Sequence, residues 1–523
     1  MTTSLSTPRH QLLEHLLKAK GIQVSLPKIP RRANVSPAPL ALNQEGLWFI
    51  EQLDPGNAYY NIPGAVRLRG QLNFTALEQS LQQIVQRHET LRTIFVLQAD
   101  GSPGQMVTPS DLHLPMVDLQ ELPPAQRESE AKRLATEEAH RAFDLARGPL
   151  FRVLLLRLAA EEHVMILNVH HLVADGWSLS IFTRELKAFY EAFSTGRPAA
   201  GMALPIQYAD FAIWQREQMA EKGFQAQLAY WRQQLGGALP VLQLPTDYPH
   251  PKKPSFRGGH QTIEFSKPLT EALRKLARRE EVTSYIVLIA AFKVLLHHYT
   301  GQDEIVVGST FANRNYRELQ QLIGFFVNTL PLRSKLSTTR SFRELLGHVR
   351  QVALDASAHQ ELPLAKLVQE LRPERDLGRN PFYQVVFDLL TPDHNPAVYG
   401  YGLLTGPVET LAFSGLTITP FDFEYSVSRF DLAMFIWDLP EALVGVCEYC
   451  VDLFLPATIA RFVKDFEVLL KQLIANPEAG LGELSAGLRL EEQQQQMAKT
   501  KEYKAAVLQK LKQSKRQPVI PEP

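Results

Sequence analysis

Two adjacent histidines followed by an acid and a glycine are the residues of this sequence best suited to do chemistry. In "NVHHLVADGW", His170 and His171 end an apolar run, and Asp175 and Gly176 follow. A neutral imidazole can accept a proton or hydrogen-bond a nucleophile near neutral pH. Asp175 stands where it can cap a following helix or pair with a cation. These residues alone leave two interpretations open: a proton-transfer site or a pair of buried structural histidines.

The position of the pair at the end of a predicted strand separates its two rings. Successive residues of a strand point to opposite faces, so one ring is expected to face a cavity and the other its own lobe. A second pair, His297 and His298 in "VLLHHYTGQDE", lies at a predicted helix end without an acid and a glycine at that spacing, and we expect it to be structural. Zinc fits neither pair, because adjacent histidines do not readily point at one ion and no third ligand is near in sequence.

Composition bounds the class of protein. The chain has 523 residues, which predicts two or three lobes, and its 45% hydrophobic and 21% charged residues are typical of a globular protein. Lys+Arg and Asp+Glu both number 55, so the net charge does not point to nucleic acid. No apolar run reaches the length of a membrane span, and no secretion signal is recognisable, so a cytoplasmic chain without a membrane partner is expected.

The two cysteines, Cys447 and Cys450, lie in "LVGVCEYCVDLF", which is predicted to be a strand. Residues three apart on a strand face opposite sides, so the two sulfurs should not meet. A second pair of ligands that would complete a zinc site is missing from the sequence. We therefore expect two incidental thiols and no disulfide.

Helical and strand-like segments alternate along the chain and predict an α/β fold of two lobes. "NFTALEQSLQQIVQR" predicts a helix opened by a capping box of Thr75 and Glu78. The strands "PLFRVLLLRL" and "HVMILNVHH" lead to the histidines, and a helix follows from Trp177 or Ser178 to Gly196. The expected division is an N-terminal flank or linker at 1–35, an N-terminal lobe carrying the histidines at 36–210, a C-terminal lobe at 211–487, and a basic linker or tail at 488–523.

The histidine segment resembles the H-H-x-x-x-D-G motif of the condensation domains of nonribosomal peptide synthetases. Acyl-CoA acyltransferases of related fold carry such motifs too, so the further motifs, which follow in the family's order, make the resemblance specific. They are "LNQEGLWFIEQLDPGNAYYNIP", "RHETLRTIF" (87–95), "YADFAIW" (208–214), "IGFFVNTLPLR" (323–333), "HQELPL" (359–364) and "RDLGRNPF" (375–382). The resemblance covers about positions 36 to 485.

Two positions depart from the family pattern. Gly46 stands where the opening motif usually has an arginine, and Leu364 and Ala365 stand where the sixth motif usually ends in Phe-Glu. Neither departure touches the histidine motif.

The resemblance implies two chloramphenicol acetyltransferase-like lobes arranged as a V-shaped pseudo-dimer with a central tunnel. Upstream donor and downstream acceptor carrier proteins would deliver phosphopantetheine-linked substrates from opposite mouths. The acceptor's α-amine would attack the donor's thioester, giving an amide and a free carrier thiol. The chain itself would bind no cofactor and no metal, since the 4'-phosphopantetheine arms come from the partner carriers, and its other partners would be neighbouring synthetase domains.

The resemblance also assigns roles to residues. His171 would face the tunnel as the catalytic residue, His170 would support the loop from behind, and the Gly176 amide would steady developing negative charge. Asp175 would be ion-paired, with Arg314 as the first candidate partner and Arg92 as the second. The tunnel candidates are Trp177, Tyr208, Trp214 and Asn328.

Subtype and alternatives follow from the same motifs. The opening motif looks most like the class that joins an L-configured donor to an acceptor. One alternative is a condensation-like domain that recruits carrier proteins without catalysis, although such domains often lose the second histidine. The other is a stand-alone acyltransferase that uses coenzyme A.

Overall fold

The computed structural model describes residues 29–33, 36–109, 112–198, 203–220, 223–237, 239–336, 341–371, 379–390, 411–491 and 493. Most of the predicted N-terminal flank and of the C-terminal tail lies outside these ranges. So do the first four residues of the last predicted motif, at 375–378. The predictions made for those segments are therefore not addressed by the structure.

Helices and strands alternate through the described residues. The α-helices are α1 Leu42–Leu53, α2 Phe74–Arg87, α3 Pro124–His140, α4 Gly176–Ser194, α5 Tyr208–Ala220, α6 Gly223–Leu235, α7 Lys267–Arg279, α8 Ser284–Thr300, α9 Phe342–Ala358, α10 Leu364–Leu371 and α11 Pro456–Ala475. The strands are β1 Ala38–Pro39, β2 Asn61–Arg69, β3 Thr93–Leu97, β4 Pro103–Val107, β5 Met116–Asp118, β6 Phe151–Ala159, β7 Glu162–His170, β8 Gly258–Glu264, β9 Glu304–Phe311, β10 Asn328–Lys335, β11 Val385–Leu390, β12 Leu411–Phe413, β13 Leu416–Pro420, β14 Leu432–Asp438 and β15 Leu443–Cys450. Short 3-10 helices span Glu89–Arg92 and Arg317–Gln321, and residues 481–491 are helical.

The first sheet has six strands in the order β12-β13-β2-β7-β6-β5. Its central strands β2, β7 and β6 are antiparallel, and β5 is parallel to β6. The helices α2 and α4 bury their apolar stripes with the inward side chains of this sheet in one core that includes Leu81, Ile84, Leu155, Val169 and Phe182. A small sheet of β1, β4 and β3 lies within the same half of the chain.

The second sheet also has six strands, in the order β10-β9-β11-β14-β15-β8. Strand β11 is parallel to both β9 and β14, and the other neighbours are antiparallel. Helix α8 lies in the core of this half, with every side chain from Ile286 to Leu296 buried. The predicted α/β class is confirmed: two mixed sheets are each covered by amphipathic or apolar helices.

One strand pair joins the sheet of the other half. Strands β12 and β13, inside the range predicted for the C-terminal lobe, extend the first sheet, with β13 antiparallel to β2. Leu416 and Ile418 alternate along β13 and are buried in the core of the first sheet. A division at residue 210 therefore does not describe this segment, because an alternating pattern predicts a strand but does not say which sheet it joins.

Two helix starts differ from their predictions. Asn73, rather than a Thr75–Glu78 box, caps α2, because its Oδ1 accepts a hydrogen bond from the Ala76 amide at 3.0 Å. The Glu78 carboxylate instead accepts from the Leu114 amide at 3.0 Å. Helix α4 begins at Gly176, one residue before the predicted start, because Asp175 caps it.

The cysteines lie on β15 as free thiols, with Cys447 buried and Cys450 partly exposed. Burial raises the pKa of the Cys447 thiol. The described residues contain no group of three His, Cys, Asp or Glu side chains arranged to hold a metal ion.

Within the described residues, no single helix is long and apolar enough to span a membrane; α7 and α8 pass the length and composition test only as a pair, and they are bent by 103°.

Candidate active site

The end of β7 sends the two histidine rings to different surroundings. The His170 amide donates to the Leu150 carbonyl, and the His171 amide donates to the Tyr60 carbonyl, both at 2.9 Å. The His170 residue is 2% exposed, while His171 is partly exposed. The backbone pairing of the sheet thus fixes the first ring inside its lobe and leaves the second at the edge of the site.

His170 is held by partners on both ring nitrogens. Its Nδ1 accepts from the Leu172 amide at 3.1 Å, so the proton of the neutral ring lies on Nε2, which donates to Glu51 Oε1 at 3.3 Å. The ring also meets the edge of Phe143, with centroids 5.8 Å apart. Since Glu51 lies on α1, this ring fastens the histidine loop to that helix from behind.

His171 has the opposite tautomer. Its Nδ1 lies 3.0 Å from the Ala174 carbonyl, which can only accept, so Nδ1 carries the proton and Nε2 carries a lone pair. The ring packs edge-on against Phe325, with centroids 5.0 Å apart. Burial and then the charge of Arg429 lower the pKa of His171 to about 4, while Asp175 opposes the shift. The ring is therefore neutral near pH 7 and has one fixed acceptor nitrogen.

Asp175 is both a helix cap and one member of a buried ion pair. Its Oδ1 accepts from the Ser178 amide at 2.9 Å and lies 2.7 Å from the Ser178 hydroxyl, whose single proton it shares with the Gly324 carbonyl. The same oxygen lies 2.9 Å from the Arg314 guanidinium, and Oδ2 accepts from the Phe326 amide at 3.1 Å. The side chains of Asp175 and Arg314 are 3% and 1% exposed. Burial lowers the pKa of Arg314, and Asp175 opposes that effect.

The Asp175 cluster joins the two halves of the chain. Residues 312–327 connect β9 to β10 of the second sheet and fold over the start of α4. The Trp177 indole donates to the Gln320 carbonyl at 3.1 Å, and the Gly324 amide donates to the Ser178 hydroxyl oxygen at 3.1 Å. The site is therefore assembled from the histidine loop of the first sheet and this connection, which we call the β9–β10 connection.

The structure places the two candidate arginines differently. Arg314 contacts Asp175, and its other terminal nitrogen donates to the carbonyls of Leu319 and Leu322 at 2.6 Å each. The Arg92 guanidinium donates instead to the Thr108 carbonyl at 3.2 Å. Of the two arginines, Arg314 is thus the ion-pair partner.

The tunnel candidates have anchoring contacts. The buried Tyr208 hydroxyl donates to the Phe325 carbonyl at 2.6 Å, which holds the residue that packs on His171. Its ring passes so close to Gly324 that a Cβ there would collide with it. The Asn328 amide donates to the carbonyls of Gln360 and Leu362 at 2.9 and 2.8 Å. These two residues fix loops around the site.

Trp214 and Trp177 have aromatic or cationic neighbours. Trp214 packs against Tyr316 with centroids 4.8 Å apart, and both line an open pocket with Phe211, Leu319 and Glu361. Trp177 is partly exposed at the start of α4, and the Arg314 guanidinium carbon lies 5.8 Å from its ring centroid. Whether either lines a substrate path stays a prediction.

Several site residues were not identified from the sequence: Glu51, Tyr60, Ser178, Phe325 and Arg429. Ser178 carries a local signal, because a polar residue three positions after an Asp cap is a frequent pattern. The other four reach the histidines only through the packing of distant segments. Glu51, Tyr60 and Phe325 lie inside the family-like motifs quoted above, but their spacing does not show that they reach the histidines, and Arg429 lies in none of those motifs.

The two departures from the family pattern lie against each other. A Cβ added at Gly46 on α1 would lie 2.9 Å from the Cβ of Ala365 on α10. Small residues at both positions thus let these helices approach closely. A larger side chain introduced at Gly46 alone would collide with Ala365.

The chain matches one protein family over most of its length. The "Condensation domain" family model matches residues 35–497. A linear gramicidin synthase of Brevibacillus parabrevis is 43% identical over 481 residues, which cover 91% of this chain and 6% of that protein. The chain therefore spans only a small part of this relative's length.

Two solved structures have a similar fold. The X-domain in the complex of the X-domain and OxyB from teicoplanin biosynthesis is 26% identical with a TM-score of 0.74, covering 88% of this chain and 98% of that chain. The first condensation domain of the calcium-dependent antibiotic synthetase, in complex with substrate analogue 3a, is 21% identical with a TM-score of 0.69, covering 86% and 99%. These similarities confirm the predicted chloramphenicol acetyltransferase-like fold.

Proposed function

The chain belongs to the condensation-domain family of nonribosomal peptide synthetases, and from this premise we propose that it joins two carrier-bound substrates through an amide bond. The donor is an acyl or peptidyl thioester and the acceptor an aminoacyl thioester, each on the 4'-phosphopantetheine arm of a separate carrier protein. The donor is of L configuration at its reacting residue. The chain works in the cytoplasm beside neighbouring synthetase domains and holds neither a cofactor nor a metal of its own.

The reaction uses the lone pair of His171. The neutral acceptor amine attacks the donor carbonyl, a C–N bond forms, and the C–S bond breaks to release the carrier thiolate. His171 Nε2 accepts a hydrogen bond from the amine, takes the proton that becomes acidic as the bond forms, and returns it to the thiolate sulfur. An ordinary α-amine has a pKa of about 7.7–8.0, so a substantial fraction is neutral at pH 7.5. A ring whose pKa is about 4 therefore acts mainly by orientation and by accepting this late proton.

The start of α4 supports the developing negative charge. Gly176 is its first helical residue and is exposed, and amide groups in the first helical turn carry partial positive charge. Asp175, Ser178 and Arg314 hold this helix end in place. The Gly176 amide is thus a preorganised donor for the oxygen of the tetrahedral intermediate.

The observation that carries this proposal is the cross-half ion pair of Asp175 with Arg314. It places the start of α4, the His171 ring and Phe325 of the β9–β10 connection in one cluster. An acid–base site formed between two lobes fits an acyl transfer in which one substrate enters from each side. We propose lobes at 36–210 and 211–487, with 411–420 exchanged between them, and a tunnel with two mouths.

The test is a single-turnover assay by mass spectrometry with donor and acceptor carriers loaded from a panel of L- and D-aminoacyl pantetheines. We expect amide on the acceptor carrier, faster turnover with L donors, and loss of product with His171→Ala. Free amino acids should react poorly, because the carrier and its arm supply binding energy that orients the reacting groups. Equal turnover with free amino acids and a coenzyme A thioester would favour a stand-alone acyltransferase.

A recruiting domain without catalysis is the second candidate. It is favoured by the similarity to an X-domain solved in complex with OxyB. Carrier binding by the wild-type chain without amide formation from any loaded pair would favour recruitment over condensation. Since His171 is retained, the amide-forming proposal is preferred.

A further inference from the structure

A second buried carboxyl group lies in the other sheet, beside a cation. Glu448 is on β15, is 8% exposed, and is paired in register with Ala433 and His260 on the neighbouring strands. With His260, Tyr425 and Arg429 it lines a partly open pocket. Burial raises the pKa of Glu448 to about 7, while the charge of Arg429 and the Ser428 hydroxyl oppose that shift.

The segment that carries Arg429 is fastened to both sheets. Residues 421–431 lead from β13 of the first sheet to β14 of the second. The Phe421 amide donates to the Ala65 carbonyl at 3.0 Å, and the Tyr425 hydroxyl donates to the Asn61 carbonyl at 3.0 Å. Ser428 then donates its amide to the Phe256 carbonyl at 2.9 Å. Arg429 is thereby held at a defined place between the two halves.

That place is next to the histidine site. The Arg429 guanidinium carbon lies 5.6 Å from the ring centroid of Tyr60. The backbone carbonyl of Tyr60 accepts the hydrogen bond from the His171 amide at 2.9 Å. Three charged or titratable groups act on the His171 ring: Arg429 and His170 disfavour its protonation and Asp175 favours it. On its remaining side the ring contacts Phe325, which carries no charge.

We propose that Arg429 is a positioning residue of the His171 site: held beside the Tyr60 ring by a segment fastened to both sheets, its guanidinium adds a fixed positive charge that disfavours protonation of the imidazole. The consequence is that the Nε2 lone pair stays free down to a lower pH than burial alone would allow. Glu448 lies beside this segment, and because burial raises its pKa to about 7, its carboxyl is protonated over the acid range in which His171 titrates. The catalytic meaning of this arrangement rests on the proposed function, but the charge effect does not.

The test measures the ring directly. Full-length chain labelled with [13Cε1]-histidine is titrated by NMR, and His171→Ala identifies the resonance. Arg429→Gln should raise the pKa of His171 by about one unit, as expected for removing a charge several ångströms away at an intermediate effective dielectric constant. Arg429→Lys should keep it near the wild-type value. Arg257→Gln, which removes an exposed arginine paired with Asp452, is the matched control and should leave it unchanged.

A folded Arg429→Gln chain in which His171 titrates as in the wild type would overturn the proposal. Glu448→Gln is the second variant, and it separates charge from structure. Because the Glu448 carboxyl is already protonated near pH 4, Glu448→Gln should leave the pKa of His171 unchanged, whereas a loosened site that admits water would raise it in both variants. A rise with Glu448→Gln therefore also contradicts the proposal.

Single-turnover condensation keeps this inference separate from the proposed function. The condensation rate is measured over the same pH range as the NMR titration. If Arg429→Gln shifts both the titration of His171 and the acid side of the pH–rate profile, the charge effect and the proposed function both stand. If the NMR titration shifts but the pH–rate profile does not, the charge effect stands and the role of His171 in the chemistry fails.

Discussion

The dipeptide His-His occurs in both halves of the molecule, and the two copies differ in their secondary structure and in the contacts of their rings. His170 and His171 end a strand, so their rings separate to the lobe interior and the site. His297 and His298 lie in the last turns of α8, where adjacent side chains diverge by only about 100°. The strand thus sends the first pair to opposite sides of the sheet, whereas the helix keeps both rings of the second pair near one helix end.

The partners of the two pairs also differ in their distance along the chain. His170 reaches Glu51, 119 residues away, and His171 reaches Phe325 of the other half. His297 bonds to the Gln302 carbonyl at 2.9 Å, only five residues away. The first pair is a meeting point of distant segments, while His297 contributes to closing a helix end.

The largest expected effect is on amide formation. His171→Ala should reduce single-turnover condensation by about 10²–10⁴-fold, the usual range for a positioned acid–base group, with the melting temperature within a few degrees of wild type. His298→Ala is the matched change in the second pair and should leave the rate within about twofold. Quenched-flow measurement with loaded carriers, together with thermal melting, checks both.

A near wild-type rate for His171→Ala would remove this residue from the chemistry and favour carrier recruitment or a purely steric site. Unfolding of His171→Ala, with a folded but inert His170→Ala, would mean that the roles of the two faces are reversed.

The next effect is on stability and compares the acids near the two pairs. Asp175→Ala leaves the buried Arg314 charge without its carboxylate and should lower the free energy of unfolding by about 3–5 kcal/mol. Asp465, also buried, accepts from the Tyr299 hydroxyl at 2.5 Å, so Asp465→Ala strands a neutral group there and should cost about 1–3 kcal/mol. Urea unfolding of both variants tests the order.

An Asp175→Ala chain with unchanged stability and no activity would instead place Asp175 in the reaction itself.

The sequence was most informative where short-range patterns decide the structure. Strand alternation at His170 and His171, the α/β class and the absence of a Cys447–Cys450 disulfide all follow from local periodicity. The ion pair of Asp175 with Arg314 came from the family resemblance, and the structure contains it.

The rest depends on long-range packing. Asn73 and Thr75 differ by two residues in where α2 would start, and helix periodicity does not decide between them. The placement of β13 in the first sheet depends on which exposed sheet edge a strand meets, and no pattern in "LTITP" names that edge. Glu51, Phe325 and Arg429 reach the site only after these arrangements have formed.

A smaller effect separates the supporting rings. His170→Ala should lower the free energy of unfolding by about 1–3 kcal/mol, because it removes the ring that bonds to the buried Glu51 Oε1 and to the Leu172 amide. His297→Ala should cost less, since its carbonyl partner is part of a turn close to solvent. Some condensation should survive in the folded fraction of His170→Ala, which melting and rate measurements on the same sample will show. Equal losses of stability for the two variants would contradict the distinction between the pairs.

The smallest expected effect is the acid sensitivity of the two pairs. The pKa of His171 is lowered to about 4, chiefly by burial and by Arg429, and burial and Arg489 lower that of His298. A ring with a lowered pKa binds fewer protons in the folded chain than in the unfolded one. Its contribution to the free energy of unfolding is therefore present above the unfolded pKa of about 6.5 and is lost as the pH falls towards the pKa of the folded state. For His171 the loss at pH 5.5 is about 1.4 kcal/mol relative to pH 7.5.

His171→Gln should remove this loss of stability at acid pH, and urea unfolding at the two pH values should show a flatter pH dependence than in wild type. His298→Gln should change the slope in the same direction but by less, because its shift is smaller. If His298→Gln flattens the pH dependence of stability more than His171→Gln does, the pKa of His298 is the more strongly lowered of the two. The electrostatic difference between the site at His171 and the helix end at His298 would then be the reverse of the one described.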